Sequence, residues 1–159
     1  MVKWQRNHTL GCWAKFVVPL PTKRGIGLAE SNKTVLIIDD EHFVRQSFLD
    51  YFQDRLWDVI GAESGEEALA ILEKESPHCA IVDIRLGGMD GNAFIREAYL
   101  KRTKMAFVIC TGSPEYDIPA DVRKLPGVSD RVFKKPVANL ADLEEEILRL
   151  IAEIESKQV

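Results

Sequence analysis

No apolar run in this 159-residue chain approaches the roughly 20 residues that span a bilayer. The stretch from Cys12 to Leu20 is too short, Lys15 interrupts it, and it lacks the charged-apolar-small order of a signal peptide. Cysteine is scarce as well. Cys12, Cys79 and Cys110 are odd in number and show no CxxC spacing, which argues against a disulfide framework or a thiolate metal site. Two of them sit inside apolar runs, where cysteine acts as a small hydrophobe, so the composition points to the reducing cytoplasm. His8, His42 and His78 are scattered without ligand spacing. Low-complexity segments and internal repeats are missing too.

What is present is a hydrophobic content of 46%, enough for a real core, and an uneven charge. Residues 1–33 carry six basic side chains (Lys3, Arg6, Lys15, Lys23, Arg24, Lys33) against Glu30 alone. The remaining 126 residues carry 15 basic and 24 acidic side chains. An acidic domain is a poor partner for nucleic acid, which draws on clustered positive charge. The chain therefore divides into a basic N-terminal extension (1–33), a domain over 34–156 and a short tail (157–159). The extension holds Trp4, Trp13 and Phe16 without periodicity, as a flexible arm, a docking segment or an over-long translated start would.

From Thr34 onward, short apolar runs alternate with helix-period segments. Residues 34–39 (TVLIID) are continuous and β-branched, as in a strand buried on both faces. Residues 41–56 place Val44, Phe48, Phe52 and Leu56 at a spacing of four, one face of a helix. Residues 57–62 form a second strand, and Ser64 with Glu67 makes a capping box before the next helix. A third strand spans 79–83, a helix 92–102, a fourth strand 106–110 and a fifth 131–134. Pro114, Pro119 and Pro126 leave only a short or irregular helix between the last two strands. A long helix over about 140–156 closes the domain. Five β/α repeats predict a parallel sheet with helices on both faces. Ligands of such sheets bind beyond the carboxyl ends of the strands.

Those ends are polar. Strand one ends in Asp39-Asp40-Glu41, strand three in Asp83, strand four in Thr111-Gly112-Ser113 and strand five in Lys134-Lys135-Pro136. Converging carboxylates raise one another's pKa unless a positive charge compensates. A hard, oxygen-bound divalent cation does so, and Mg²⁺ suits a site of few carboxylates and phosphate oxygens. Lys134 and Lys135 should point to opposite sides, so one of them reaches the pocket.

The set IIDDE (37–41), VDIRLGGMDG (82–91), VICTG (108–112) and FKKPV (133–137) resembles the response-regulator receiver domains of two-component signalling. The resemblance covers residues 34–156. It implies a flavodoxin-like (βα)5 fold of strand order 2-1-3-4-5, in a stand-alone receiver. It implies Asp83 as phosphoacceptor, with Thr111 and Lys135 on the phosphoryl oxygens. Asp40, Asp83 and the backbone carbonyl of Arg85 would hold Mg²⁺, with Asp39 helping through water or positioning. The partners implied are a sensor histidine kinase or histidine phosphotransfer protein upstream and an unnamed protein downstream. Such a domain catalyses only its own phosphorylation and autodephosphorylation. No membrane insertion or direct nucleic-acid contact is expected.

Two departures stand out. Receivers usually carry Tyr or Phe three residues before the lysine, where this chain has Val132; Phe133 takes that role by a local shift, or the aromatic readout is missing. Gly87-Gly88 occupies the loop after Asp83, where Pro is commoner at the first position, and predicts a looser loop. These changes keep open a pseudo-receiver, an interaction module that is never phosphorylated. Acid pairs after strands often only cap the next helix, which is the plainer use of Asp40 or Glu41.

Overall fold

Three aliphatic runs form the enclosed central strands, apolar on both faces, and two more-polar segments form the partly exposed edges. The computed structural model describes residues 32–157. The basic extension, with Cys12, Trp4, Trp13 and Phe16, lies outside the described residues except for its last two positions, and the last two residues of the tail lie outside as well.

The strands are β1 (Thr34–Ile38), β2 (Asp58–Ala62), β3 (Cys79–Val82), β4 (Ala106–Thr111) and β5 (Val128–Lys134). They pair in parallel in the order β2-β1-β3-β4-β5, a flavodoxin-like sheet. Between them run α1 (His42–Asp54), α2 (Gly65–Leu72), α3 (Gly91–Lys101) and the single turn α4 (Ala120–Arg123), with α5 (Leu140–Ser156) at the end. Alternate strand residues serve two cores. Leu36, Ile38, Ala80, Val82, Phe107 and Ile109 pack with Ala68, Phe94 and Val122 of α2, α3 and α4. Val35, Ile37, Ile81, Ala106 and Val108 pack with Phe48 and Phe52 of α1 and Leu143 and Ile147 of α5. Each fully buried Phe or Leu contributes about 2 kcal/mol of transfer free energy.

Three elements depart from the sequence reading. The predicted stripe of α1 overshoots: Leu56 is 79% exposed and lies beyond the helix in the left-handed region (φ 64°). Leu56 N–H donates to the Gln53 carbonyl at 3.0 Å and Trp57 N–H to the Phe52 carbonyl at 3.1 Å. That is a Schellman stop with leucine where glycine is favoured, closed by an edge-on contact of the Phe52 and Trp57 rings. The capping box at α2 is present but displaced. Ser64 accepts from Glu67 N–H at 3.1 Å, while the Glu67 carboxylate reaches Glu63 N–H at 2.8 Å, one residue further back.

β5 begins three residues early. Its pairing with β4 shifts register between Phe107 and Ile109, opening room for Ser129. Ser129 is buried because its hydroxyl donates to the Glu146 carboxylate of α5 at 2.6 Å.

Candidate functional site

Strand order reverses between β1 and β3, and the polar residues at their carboxyl ends meet there. Asp39 extends the β1 ladder, its N–H donating to the Ala62 carbonyl at 3.1 Å. Asp83 extends β3 in the same way, its N–H donating to the Ile38 carbonyl at 2.9 Å. Both carboxylates are buried. Lys135 follows β5 on a cis peptide to Pro136, and its N–H donates to the Thr111 carbonyl at 3.0 Å. From that anchor the lysine Nζ lies 2.5 Å from Asp39 Oδ2 and 2.7 Å from Asp83 Oδ2.

The second oxygen of each aspartate bonds a nearby backbone amide. Asp39 Oδ1 accepts from Glu41 N–H at 2.9 Å, and Asp83 Oδ1 from Arg85 N–H at 3.2 Å. Burial pushes the Asp39 carboxyl above its ordinary value; the Lys135 ammonium and the Glu41 amide oppose that rise without cancelling it. Burial alone would weaken the Lys135 ammonium's hold on its proton. Its bonds to Asp39 and Asp83 outweigh that, so its pKa lies above the usual lysine value and the group stays charged. Two buried carboxylates thus share one ammonium.

Of the residues singled out from sequence, Asp39, Asp83 and Lys135 come together in direct contact. Thr111, the last residue of β4, is buried beside the pocket, and its Oγ1 accepts from Ser113 N–H at 3.2 Å. Arg85 turns its guanidinium outward to Ser113 Oγ at 3.2 Å. Asp40 is exposed and stands outside the carboxylate group. Among the described residues, the acids close enough to share a cation are Asp39, Glu41 and Asp83, each offering an oxygen within 4.8 Å of the others. Lys134 points away from the pocket and donates to the Ser113 carbonyl at 2.7 Å, as strand alternation requires.

Sequence reasoning missed three supports. Arg45 of α1 donates to the Asp39 carbonyl through Nη1. Glu66 of α2 accepts from Met89 N–H at 2.9 Å and braces the loop after β3. That contact changes the reading of Gly87-Gly88. Gly88 has φ 87°, and a Cβ there would lie 2.7 Å from Glu66 Oε1, so this glycine allows a close approach rather than loosening the loop. Gly91 is needed too, since a Cβ would meet the Asp83 carbonyl at 2.3 Å. The third support is Glu41 itself, which the sequence offered as a plain helix cap. An acid at a helix N-cap, four places before an arginine, carries no local sign of which way it turns.

The aromatic alternative is also decided. Phe133 is buried on the sheet face covered by α1 and α5, while Val132 packs on the opposite face with the α2, α3 and α4 core. A local shift cannot exchange them, because consecutive strand residues point to opposite faces. The position three residues before Lys135 is therefore aliphatic.

A parallel five-stranded sheet of this order, with a buried acid pair and a lysine meeting at the carboxyl ends of its strands, defines a receiver-type fold. The response regulator receiver domain model matches residues 35–147, and the chain belongs to that family. Sporulation initiation phosphotransferase F of Bacillus subtilis is 27% identical over 105 residues, covering 66% of this chain and 83% of that protein. A cyclic di-GMP phosphodiesterase of Thermotoga maritima is 33% identical over 118 residues, but those span only 29% of its length. Among solved structures, a CheY-like receiver domain protein of Methanospirillum hungatei is 28% identical with a TM-score of 0.68, covering 80% of this chain and 99% of that one. A response regulator of Thermotoga maritima in complex with Mg(2+)-BeF is 25% identical with a TM-score of 0.64, covering 74% of this chain and 98% of that one.

Proposed function

We propose that this receiver domain accepts a phosphoryl group on Asp83 from a histidine kinase or histidine phosphotransfer protein, and signals through a downstream protein. The observation that carries the reading is the Lys135 ammonium bridging Asp39 and Asp83 at the carboxyl edge of the sheet. In the transfer, an Asp83 carboxylate oxygen forms the new bond to phosphorus as the bond to the donor's imidazole nitrogen breaks. The leaving imidazole takes up a proton. Phosphoryl transfer is catalysed by positioning and by neutralising charge on the equatorial oxygens. Lys135 supplies one fixed positive charge and Thr111 a hydroxyl donor.

The donor set fits Mg²⁺. It is all oxygen, it is net negative even with Lys135 present, and burial of Asp39 penalises its bare charge. Asp39, Asp83 and the Arg85 carbonyl would hold the ion, joined by Asp40 if its exposed side chain turns inward, and the bound ion would neutralise phosphoryl charge. The product is an acyl phosphate, labile enough for a reversible signal. Autodephosphorylation completes the cycle, and Arg85 and Ser113, bonded to each other at the pocket rim, set its rate. We place the exchange in the cytoplasm, in keeping with the free thiols of Cys79 and Cys110.

Incubation with acetyl phosphate and Mg²⁺ should add one phosphoryl group to Asp83 by mass spectrometry, and Asp83→Asn should abolish it. An unmodified Asp83 under those conditions, with no response to beryllofluoride, sinks the proposal. A second reading, a pseudo-receiver that binds its partner without phosphorylation, is favoured by the aliphatic Val132. Partner binding unchanged by Asp83→Ala would support it.

A further inference from the structure

We infer that Glu41 is a working member of the cation site, supplying a carboxylate from its solvent side; this rests on the reading above that the pocket binds a divalent cation. Glu41 is the N-cap residue of α1, yet its side chain makes no capping hydrogen bond. Capping is the ordinary use of an acid at that position, and here the carboxylate is not spent on it. The backbone amide of Glu41 is instead held by Asp39 Oδ1 at 2.9 Å. That bond fixes where the side chain leaves the main chain. The carboxylate then comes within 4.8 Å of the oxygens of both Asp39 and Asp83, and its Oε1 lies 3.8 Å from Lys135 Nζ.

Three acids therefore surround one ammonium, leaving two negative charges uncompensated. The two aspartates are buried, whereas the Glu41 side chain is 65% exposed. An exposed carboxylate is cheaply desolvated, and Mg²⁺ keeps several of its waters. Glu41 suits the outer side of such an ion, as direct ligand or as acceptor for a retained water. Glu41 and Lys135 also line a groove of about 410 Å³ with Val44, Phe48, Pro136 and Val137, which leaves the Glu41 side chain accessible. Asp40, one residue earlier, lies outside the group of three.

The test is a Mg²⁺ titration of the full chain by calorimetry, with backbone amide shifts at residues 39–41 and 83–85 as a second readout. Wild type is compared with Glu41→Gln and with Glu63→Gln, which removes the same charge from a 73%-exposed side chain on the loop after β2. Loss of a group close to a bound ion weakens metal affinity about tenfold or more. Glu41→Gln should show that loss, while Glu63→Gln stays within about twofold, as expected of an exposed charge. Thermal midpoints measured without Mg²⁺ identify any variant that fails to fold, and Glu41→Asp, which keeps the charge, then serves as the folded comparison. Equal weakening by Glu41→Gln and Glu63→Gln, or none by Glu41→Gln, overturns the inference and leaves the Mg²⁺ reading standing. Wild type that binds no Mg²⁺ removes the reading beneath it.

Discussion

The Lys135 ammonium donates to Asp83 Oδ2 at 2.7 Å across 52 residues of sequence. The same nitrogen holds Asp39, so one side chain ties the ends of β1, β3 and β5 together. Lys135→Met removes the sole ammonium from two buried carboxylates, which costs about 3 kcal/mol of stability. Labelling of Asp83 by acetyl phosphate is expected to fall about a hundredfold with the loss of that charge. Mg²⁺ should raise the thermal midpoint of this variant more than that of wild type, since no ammonium competes with the ion. Wild-type labelling kinetics in Lys135→Met would refute the role given to the lysine.

The three glycines of the β3–α3 segment separate cleanly by what surrounds them. Gly87→Ala has open space and should change stability by less than about 0.5 kcal/mol. Gly88→Ala meets Glu66 in a left-handed backbone and should cost about 1–2 kcal/mol. Gly91→Ala drives a methyl into the Asp83 carbonyl and should cost about 3 kcal/mol, with labelling impaired as well. Denaturant midpoints of the three variants check the order. A Gly87→Ala protein as unstable as Gly91→Ala contradicts it.

Leu56 is strained without being buried, an unusual combination. Leu56→Gly relieves the left-handed backbone at the end of α1 and forfeits almost no apolar burial. Stability should rise by about 1 kcal/mol, seen as a higher urea midpoint at unchanged slope.

Glu146 is the buried acid outside the pocket. Hydrogen bonds from Arg149 come first, and with Ser129 they hold its carboxyl below the ordinary value of 4.5 despite burial. The unfolded chain therefore binds a proton before the folded one does. The stability that Glu146 contributes is complete above pH 4.5 and is lost as pH falls through its lowered folded value. Glu146→Gln should cost about 1 kcal/mol at neutral pH, and the gap from wild type should close in that acid range. A gap that widens on acidification reverses the assigned sign.

The buried strands were legible because a parallel sheet writes itself as unbroken aliphatic runs, as in residues 35–38 and 106–110. So were Asp39, Asp83 and Lys135, since strand ends are where such a sheet gathers its chemistry. What escaped depended on distant partners. Ser129 reads as a loop residue until Glu146, seventeen positions on, gives its hydroxyl an acceptor. Gly88 reads as slack until Glu66, from another helix, closes against it. Leu56 continued a true periodicity past the residue where the helix stops, because spacing carries no record of backbone sign.

Lys134 and Lys135 are neighbours on one peptide unit, yet the first grips the carbonyl of Ser113 and the second grips Asp39 and Asp83. The end of β5 is therefore a yoke, joined on one side to the acid pocket and on the other to the loop leaving β4. A displacement of that single link is shared between both ends at once. With valine at the position three residues before Lys135, the tie between the acid pocket and that loop is made by two lysine side chains and no aromatic ring.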